Sequence, residues 1–199
     1  MAKLCFKYGT MGSGKSIDLM RTAYNYDEKG FKVIVLKPKC DTKGKDKLDS
    51  RIGIKRKVDI LIDNNTNIVK EVKNRLDSKL KCIFVDEAQL LTCDKIDELY
   101  LVTKIFDIPV ICYGLRTNFK MKGFTGSTRL LEISDKIEEI KSICKCGNIA
   151  KFNARKVNLK YTLEGDDIII DGTNSNVEYV PLCGNCYLKK VKKINYKNY

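Results

Sequence analysis

Apolar residues along the first two thirds of this chain alternate between short dense runs and stretches in which they recur every third or fourth position. The runs are Leu4-Cys5-Phe6-Lys7-Tyr8, Phe31 to Leu36 with Val33, Ile34 and Val35, Cys82-Ile83-Phe84-Val85, and Ile108 to Tyr113 ending at Gly114. Runs of this kind read as strands buried on both faces. The periodic stretches read as amphipathic helices. They are 17–26 with Ile17, Met20, Ala23 and Tyr24, the segment Ile68 to Leu76, and Lys95 to Ile105 with Ile96, Leu99, Val102 and Thr103 on one face. Gly30 stands where the first helix should end. Strand and helix alternate, which predicts an α/β fold: a parallel sheet flanked by helices, with right-handed crossovers.

The pattern changes in the last third. Two close cysteine pairs appear, Cys144-Lys145-Cys146 and Cys183-Gly184-Asn185-Cys186, and between them Ile149 to Val157 and Asp167 to Ile170 read as short strands. This divides the 199 residues into a main domain over 1–140 and a small C-terminal β-rich lobe over 141–199. The sequence carries no long apolar run and no leader pattern, so a soluble cytoplasmic protein without a membrane partner is expected.

Composition then narrows the chemistry. Nine cysteines in such a protein point to free thiols or a metal rather than disulfides. There is no histidine, so a general base must be a carboxylate and a zinc site must be built from thiolates or carboxylates. Four thiolates complete a tetrahedral zinc site, which favours zinc at Cys144, Cys146, Cys183 and Cys186 over redox chemistry or unrelated thiols. Cys5, Cys82 and Cys112 fall in predicted strands and read as core.

Directly after the first strand stands Gly9-Thr10-Met11-Gly12-Ser13-Gly14-Lys15-Ser16, a phosphate-binding loop opening a helix. Its glycines let backbone N–H groups curl around phosphate oxygens, and the helix N-terminus adds a favourable dipole. Lys15 would reach the terminal phosphates and Ser16 would ligate magnesium. The third strand ends in Asp86-Glu87-Ala88-Gln89, and ligands of open α/β sheets collect at such strand ends. Asp86 suits magnesium, and Glu87 can accept a proton from an attacking hydroxyl or water. Taken alone, the acidic pair reads slightly better as a cap for the helix near Thr92; with the phosphate loop upstream, catalysis is favoured.

Lysine and arginine outnumber acids 38 to 25, a net charge of +13. The excess is spread as lysine along the chain, which reads as a solvated surface more than as a nucleic-acid interface. The densest stretch, Lys37 to Lys57, reads either as a cationic lid over the phosphate site or as a solvated loop.

These motifs, taken in order, resemble the zinc-containing thymidine kinases of bacteria and animal cytosol, the type II family. The resemblance rests on residues 9–16, Asp86-Glu87-Ala88-Gln89, Gly114-Leu115-Arg116-Thr117-Asn118-Phe119, Ile143-Cys144-Lys145-Cys146-Gly147, and Tyr179 four residues before Cys183. It implies a RecA-like P-loop fold with a zinc lobe carrying a thymidine-binding lasso loop. It further implies phosphoryl transfer from ATP to the 5′-hydroxyl of thymidine, giving dTMP. Glu87 would be the catalytic base. ATP would bind Gly9, Thr10, Met11, Gly12, Ser13, Gly14, Lys15 and Ser16 together with Asp86, Glu87, Ala88 and Gln89; magnesium would bind Ser16 and Asp86. Thymidine would meet Met11, Lys43, Arg51, Leu90, Leu115, Phe119, Phe124 and Tyr179. A homotetramer and feedback inhibition by dTTP are implied as well, with no nucleic-acid partner. The chain departs from the family where Asp41-Thr42-Lys43-Gly44 replaces an Asp-x-Arg-aromatic motif, since Lys43 lacks the bidentate fork of arginine. A nucleic-acid-dependent P-loop ATPase with a zinc ribbon is the competing reading.

Overall fold

The computed structural model describes residues 1–42, 44, 46–49, 53–166 and 176–194. Its centre is a six-stranded sheet built from β1 (Leu4–Tyr8), β2 (Lys32–Pro38), β5 (Ile60–Ile62), β6 (Leu80–Val85), β7 (Val110–Gly114) and β8 (Lys136–Glu139). They are ordered β5-β2-β6-β7-β1-β8, and every neighbouring pair is parallel. Side chains of a strand alternate between faces, and here the alternation divides the sheet's apolar residues between two cores. Leu4, Phe6, Ile34, Leu36, Ile83, Val85, Val110 and Cys112 share one core with the helices α2 (Ile68–Lys73), α3 (Cys93–Ile105) and α4 (Thr125–Ile133). Val33, Val35, Cys82, Phe84 and Tyr113 share the other with Leu19, Met20 and Ala23 of α1 (Lys15–Glu28). Helices therefore cover both faces, as the alternation of runs and periods predicts. The apolar stripe expected for 95–105 is the buried face of α3: Ile96, Leu99, Val102 and Thr103.

The sequence pattern marks none of β5, β8 and α4 as elements. β8 reads Lys-Ile-Glu-Glu at the sheet edge, β5 has only three residues, and α4 opens on Thr-Gly-Ser. The described part of the basic stretch 37–57 holds a hairpin, β3 (Lys47–Asp49) paired with β4 (Lys55–Lys57). Leu48 is buried in the α1 core, and Arg56 lies 2.7 Å from Asp27 of that helix.

The C-terminal lobe begins with the short antiparallel pair β9 (Ser142–Ile143) and β10 (Ile149–Ala150). A three-stranded antiparallel sheet follows, β12 (Lys160–Thr162), β11 (Phe152–Val157) and β13 (Val177–Leu182), and then α5 (Gly184–Lys190). The apolar stretch 149–157 is thus divided at Lys151 between two sheets. The strand expected at Asp167 to Ile170 lies outside the described residues. β13 contains Pro181, which suits its place at the edge of the sheet. Among the described residues no helix is long and apolar enough to cross a membrane.

Candidate functional site

The glycine loop is folded against the end of the sheet. β1 stops at Tyr8, and the Gly9 N–H donates to the Gly114 carbonyl at 3.2 Å, tying the loop to the end of β7. A Cβ on Gly9 would lie 2.5 Å from the Ile140 carbonyl oxygen, so the backbone approach there excludes any side chain. Lys15 is buried and its ammonium turns back over the loop, donating to the Thr10 carbonyl at 2.9 Å and the Gly9 carbonyl at 3.3 Å. Ser16 Oγ donates to Asp86 Oδ2 at 3.1 Å, which joins the start of α1 to the end of β6.

Asp86 is buried, and its other oxygen accepts from the Glu87 N–H at 3.1 Å. Burial and the neighbouring Glu87 carboxylate push its pKa up to about 7, against the Ser16 hydrogen bond and the Lys15 charge. A divalent cation at this carboxylate would reverse that direction. Glu87 occupies the left-handed region at φ 50°, a conformation that disfavours residues other than glycine. Its Oε2 accepts from Gln89 Nε2 at 2.6 Å, and Gln89 Oε1 in turn accepts from the Leu115 N–H at 3.0 Å. One buried amide thereby links Glu87 to the segment after β7. Gly114 makes room for it: a Cβ there would stand 2.7 Å from Gln89 Oε1.

The lobe meets this assembly through several hydrogen bonds. The Met11 N–H donates to Asn153 Oδ1 at 2.8 Å, Thr10 and Ser142 share a hydroxyl hydrogen bond, and the Tyr187 hydroxyl donates to the Phe119 carbonyl. The guanidinium of Arg155 lies over the Phe119 ring, its Cζ 3.5 Å from the ring centre, and donates twice to the Tyr179 hydroxyl, at 3.0 and 2.7 Å. Phe119 and Tyr179, sixty residues apart in sequence, are thus brought to one place by Arg155. Asn153, Arg155 and Ser142 were not legible as site residues. The only signal was two polar residues at alternate positions of a strand, which reads as a solvated face, yet both Asn153 and Arg155 are buried.

The remaining expected residues are placed less centrally. Leu115 adjoins Gln89 through its backbone, and Leu90 closes a short 3-10 helix (Ala88–Leu90) and lines a cleft of about 300 Å³ with Pro38, Cys40, Ile62 and Lys95. Phe124 is the half-buried N-cap residue of α4. Lys43 and Arg51 lie outside the described residues. Their described neighbour Asp41 is buried in an ion pair with Lys37 at 2.9 Å.

The four cysteines of the two close pairs converge, with all four Sγ atoms within 4.8 Å of one another and Cys146 Sγ 3.6 Å from Cys183 Sγ. Tetrahedral zinc with bonds of about 2.3 Å needs sulfur separations of about 3.8 Å, so the donor set fits that ion. The Asn148 backbone N–H and hydrogen bonds from the neighbouring thiols bring Cys146 down to about 6, the direction a thiolate ligand requires. Cys183 caps α5, its sulfur accepting from the Cys186 N–H at 3.4 Å.

With this geometry, residues 2–187 match the family model described as "Thymidine kinase". A thymidine kinase of Streptococcus gordonii is 40% identical over 191 residues, 95% of this chain and 97% of that protein. The thymidine kinase of Mannheimia succiniciproducens is 39% identical over 201 residues, 98% of this chain and all of its own length. That of Francisella tularensis subsp. tularensis is 39% identical over 188 residues, 92% of this chain and 95% of that protein. Among solved structures, the Pif1 helicase of Candida albicans overlaps with a TM-score of 0.40 at 15% identity, over 71% of this chain and 36% of that one. An overlap that partial bears on neither fold nor function.

Proposed function

The chain belongs to the thymidine kinase family, and on that premise we propose how its residues divide the work of moving the γ-phosphoryl group of ATP to the 5′-hydroxyl of thymidine. In this reading residues 1–140 hold the donor and one wall of the acceptor site, and 141–199 close the acceptor site with Tyr179 and its supporting residues. The glycine loop 9–16 receives the triphosphate, with backbone N–H groups and the Lys15 ammonium opposing its charge. Ser16 and Asp86 would hold magnesium, which supplies charge neutralisation across the phosphate oxygens.

Glu87 is the general base. As the bond between the γ-phosphorus and the ADP oxygen breaks, the thymidine 5′-oxygen bonds to that phosphorus and gives its proton to the Glu87 carboxylate. The observation that carries this assignment is the chain Glu87–Gln89–Leu115. Gln89 engages one oxygen of the carboxylate, which fixes its orientation and leaves the other for the nucleophile. Phosphoryl transfer depends mainly on positioning and charge stabilisation, so a carboxylate held this firmly is enough.

Phe119 and Tyr179 form the aromatic part of the nucleoside pocket, with Met11, Leu90, Leu115 and Phe124 as further lining and Lys43 and Arg51 added by the family resemblance. Pyrimidine sites are apolar slots with few polar groups, and this set has that character. The cysteine cluster holds structural zinc that closes the lobe. The family resemblance extends the reading to a cytoplasmic homotetramer, inhibited by dTTP and independent of nucleic acid.

The test is transfer of labelled γ-phosphate from ATP to thymidine, deoxycytidine and deoxyguanosine, run beside ATP hydrolysis with and without DNA. Labelled dTMP as the main product is expected. Hydrolysis stimulated by DNA without nucleoside phosphorylation would overturn the reading.

A further inference from the structure

Arg155 is 1% exposed and stands between two aromatic residues of the proposed nucleoside pocket. Its described partners are all neutral: the Phe119 ring beneath it, the Glu164 carbonyl at 3.4 Å, the Asp166 carbonyl at 2.6 Å, and the Tyr179 hydroxyl, met by both Nε and Nη2. Burying a guanidinium among neutral groups is costly unless each of its N–H groups is used. Here the double contact to one phenol has a chemical consequence. A tyrosine hydroxyl offers one proton and two lone pairs, and arginine can only donate. With two N–H groups aimed at the Tyr179 oxygen, what remains for a ligand is the phenolic proton.

We propose that Arg155 is a positioning residue for the nucleoside. By occupying the acceptor side of the Tyr179 hydroxyl while lying flat on Phe119, it makes Tyr179 a dedicated hydrogen-bond donor toward an acceptor oxygen of the bound nucleoside, such as a pyrimidine carbonyl. Three further features support this role. The planar fork matches the paired contact in a way a lysine could not reproduce. Tyr179 is half-buried, so its hydroxyl is partly shielded from competing water. Arg155 and Tyr179 are also direct cross-strand partners in the register of β11 and β13, which sets their separation by backbone pairing rather than by a loop.

The inference rests on the reading that Phe119 and Tyr179 line the nucleoside pocket, and the test separates the two. Steady-state constants for thymidine and ATP are measured for Tyr179→Phe, Arg155→Met, the double variant and Phe119→Leu, each checked for zinc content. Tyr179→Phe removes only the hydroxyl and should raise the thymidine KM about tenfold, leaving the ATP KM unchanged. Arg155→Met should raise it at least as much, and the double variant should be little worse than Arg155→Met alone, because one effect passes through the other. Should Arg155→Met fail to fold, Arg155→Lys keeps the charge without the fork and should fall between wild type and Tyr179→Phe. An unchanged thymidine KM in Tyr179→Phe, with Phe119→Leu impaired, would overturn the role of Arg155 while the pocket stands. Fully multiplicative effects would overturn it as well. If Phe119→Leu and Tyr179→Phe are both silent, the pocket reading falls and the inference with it.

Discussion

The two halves of this protein reach order by different physical means. The donor half is organised by burial. One face of its sheet packs a core of twenty buried residues and the other a core of ten, and the glycine loop inherits its position from the strand ends around it. Among its described residues the C-terminal lobe has a core of seven buried residues, two of which are Cys144 and Cys183. A core that small cannot offset the conformational entropy of its strands alone, and zinc bound by the four thiols, as proposed, would supply what burial does not. The difference teaches where each kind of damage should appear. Chemistry should fail through the donor half, and nucleoside binding through the lobe.

The strongest way to break that division is Glu87→Gln, which keeps the shape and removes the base. Thymidine turnover should fall by about 10³-fold with ATP affinity preserved, measured by single-turnover transfer and ATP titration. Removing two sulfur ligands with Cys183→Ser and Cys186→Ser should lower thymidine phosphorylation by about 100-fold, through the lobe's loss of order, and shift ATP affinity less than about threefold. Equal loss of both would show that the halves are not separable. Gly114→Ala places a methyl group against Gln89 Oε1 and should lower turnover about tenfold with little change in either KM, because it disturbs the support of Glu87 rather than a binding contact.

The smallest effect is on stability. Asp86 is held protonated to about pH 7 in the folded chain, whereas the unfolded chain releases that proton near pH 4. The folded state therefore binds more protons across this window, and the magnesium-free protein should lose stability as pH rises from about 4 to about 7. Asp86→Asn should flatten that slope in thermal unfolding followed across the pH range, and an unaltered slope would assign it to other groups.

The same contrast governs what the sequence made legible. In the donor half each signal is local: dense apolar runs for β1, β2, β6 and β7, a helical stripe for α3, and glycines and carboxylates directly after strands. β8 and α4 escaped because an edge strand written Lys-Ile-Glu-Glu and a helix opening on Thr-Gly-Ser lack the periodicity that would mark them. In the lobe the cysteine spacing stands out, but the contacts around the proposed acceptor site join distant positions. Met11 meets Asn153 across 142 residues, Phe119 meets Tyr187 across 68, and Arg155 meets Tyr179 across 24. Asn153 and Arg155 look like surface residues until strand pairing buries them. Gln89 fell within the segment expected to bind ATP, and only the fold brings its two ends to Glu87 and Leu115.

If separate donor and acceptor sites meet at Glu87, amide hydrogen exchange with each ligand alone should give two distinct footprints. A non-hydrolysable ATP analogue should protect residues 9–16 and the start of α1, while thymidine should protect β11, β13 and 115–119, the two footprints overlapping only at Met11 and around 86–90. Thymidine protection confined to the glycine loop, with the lobe unchanged, would contradict the account.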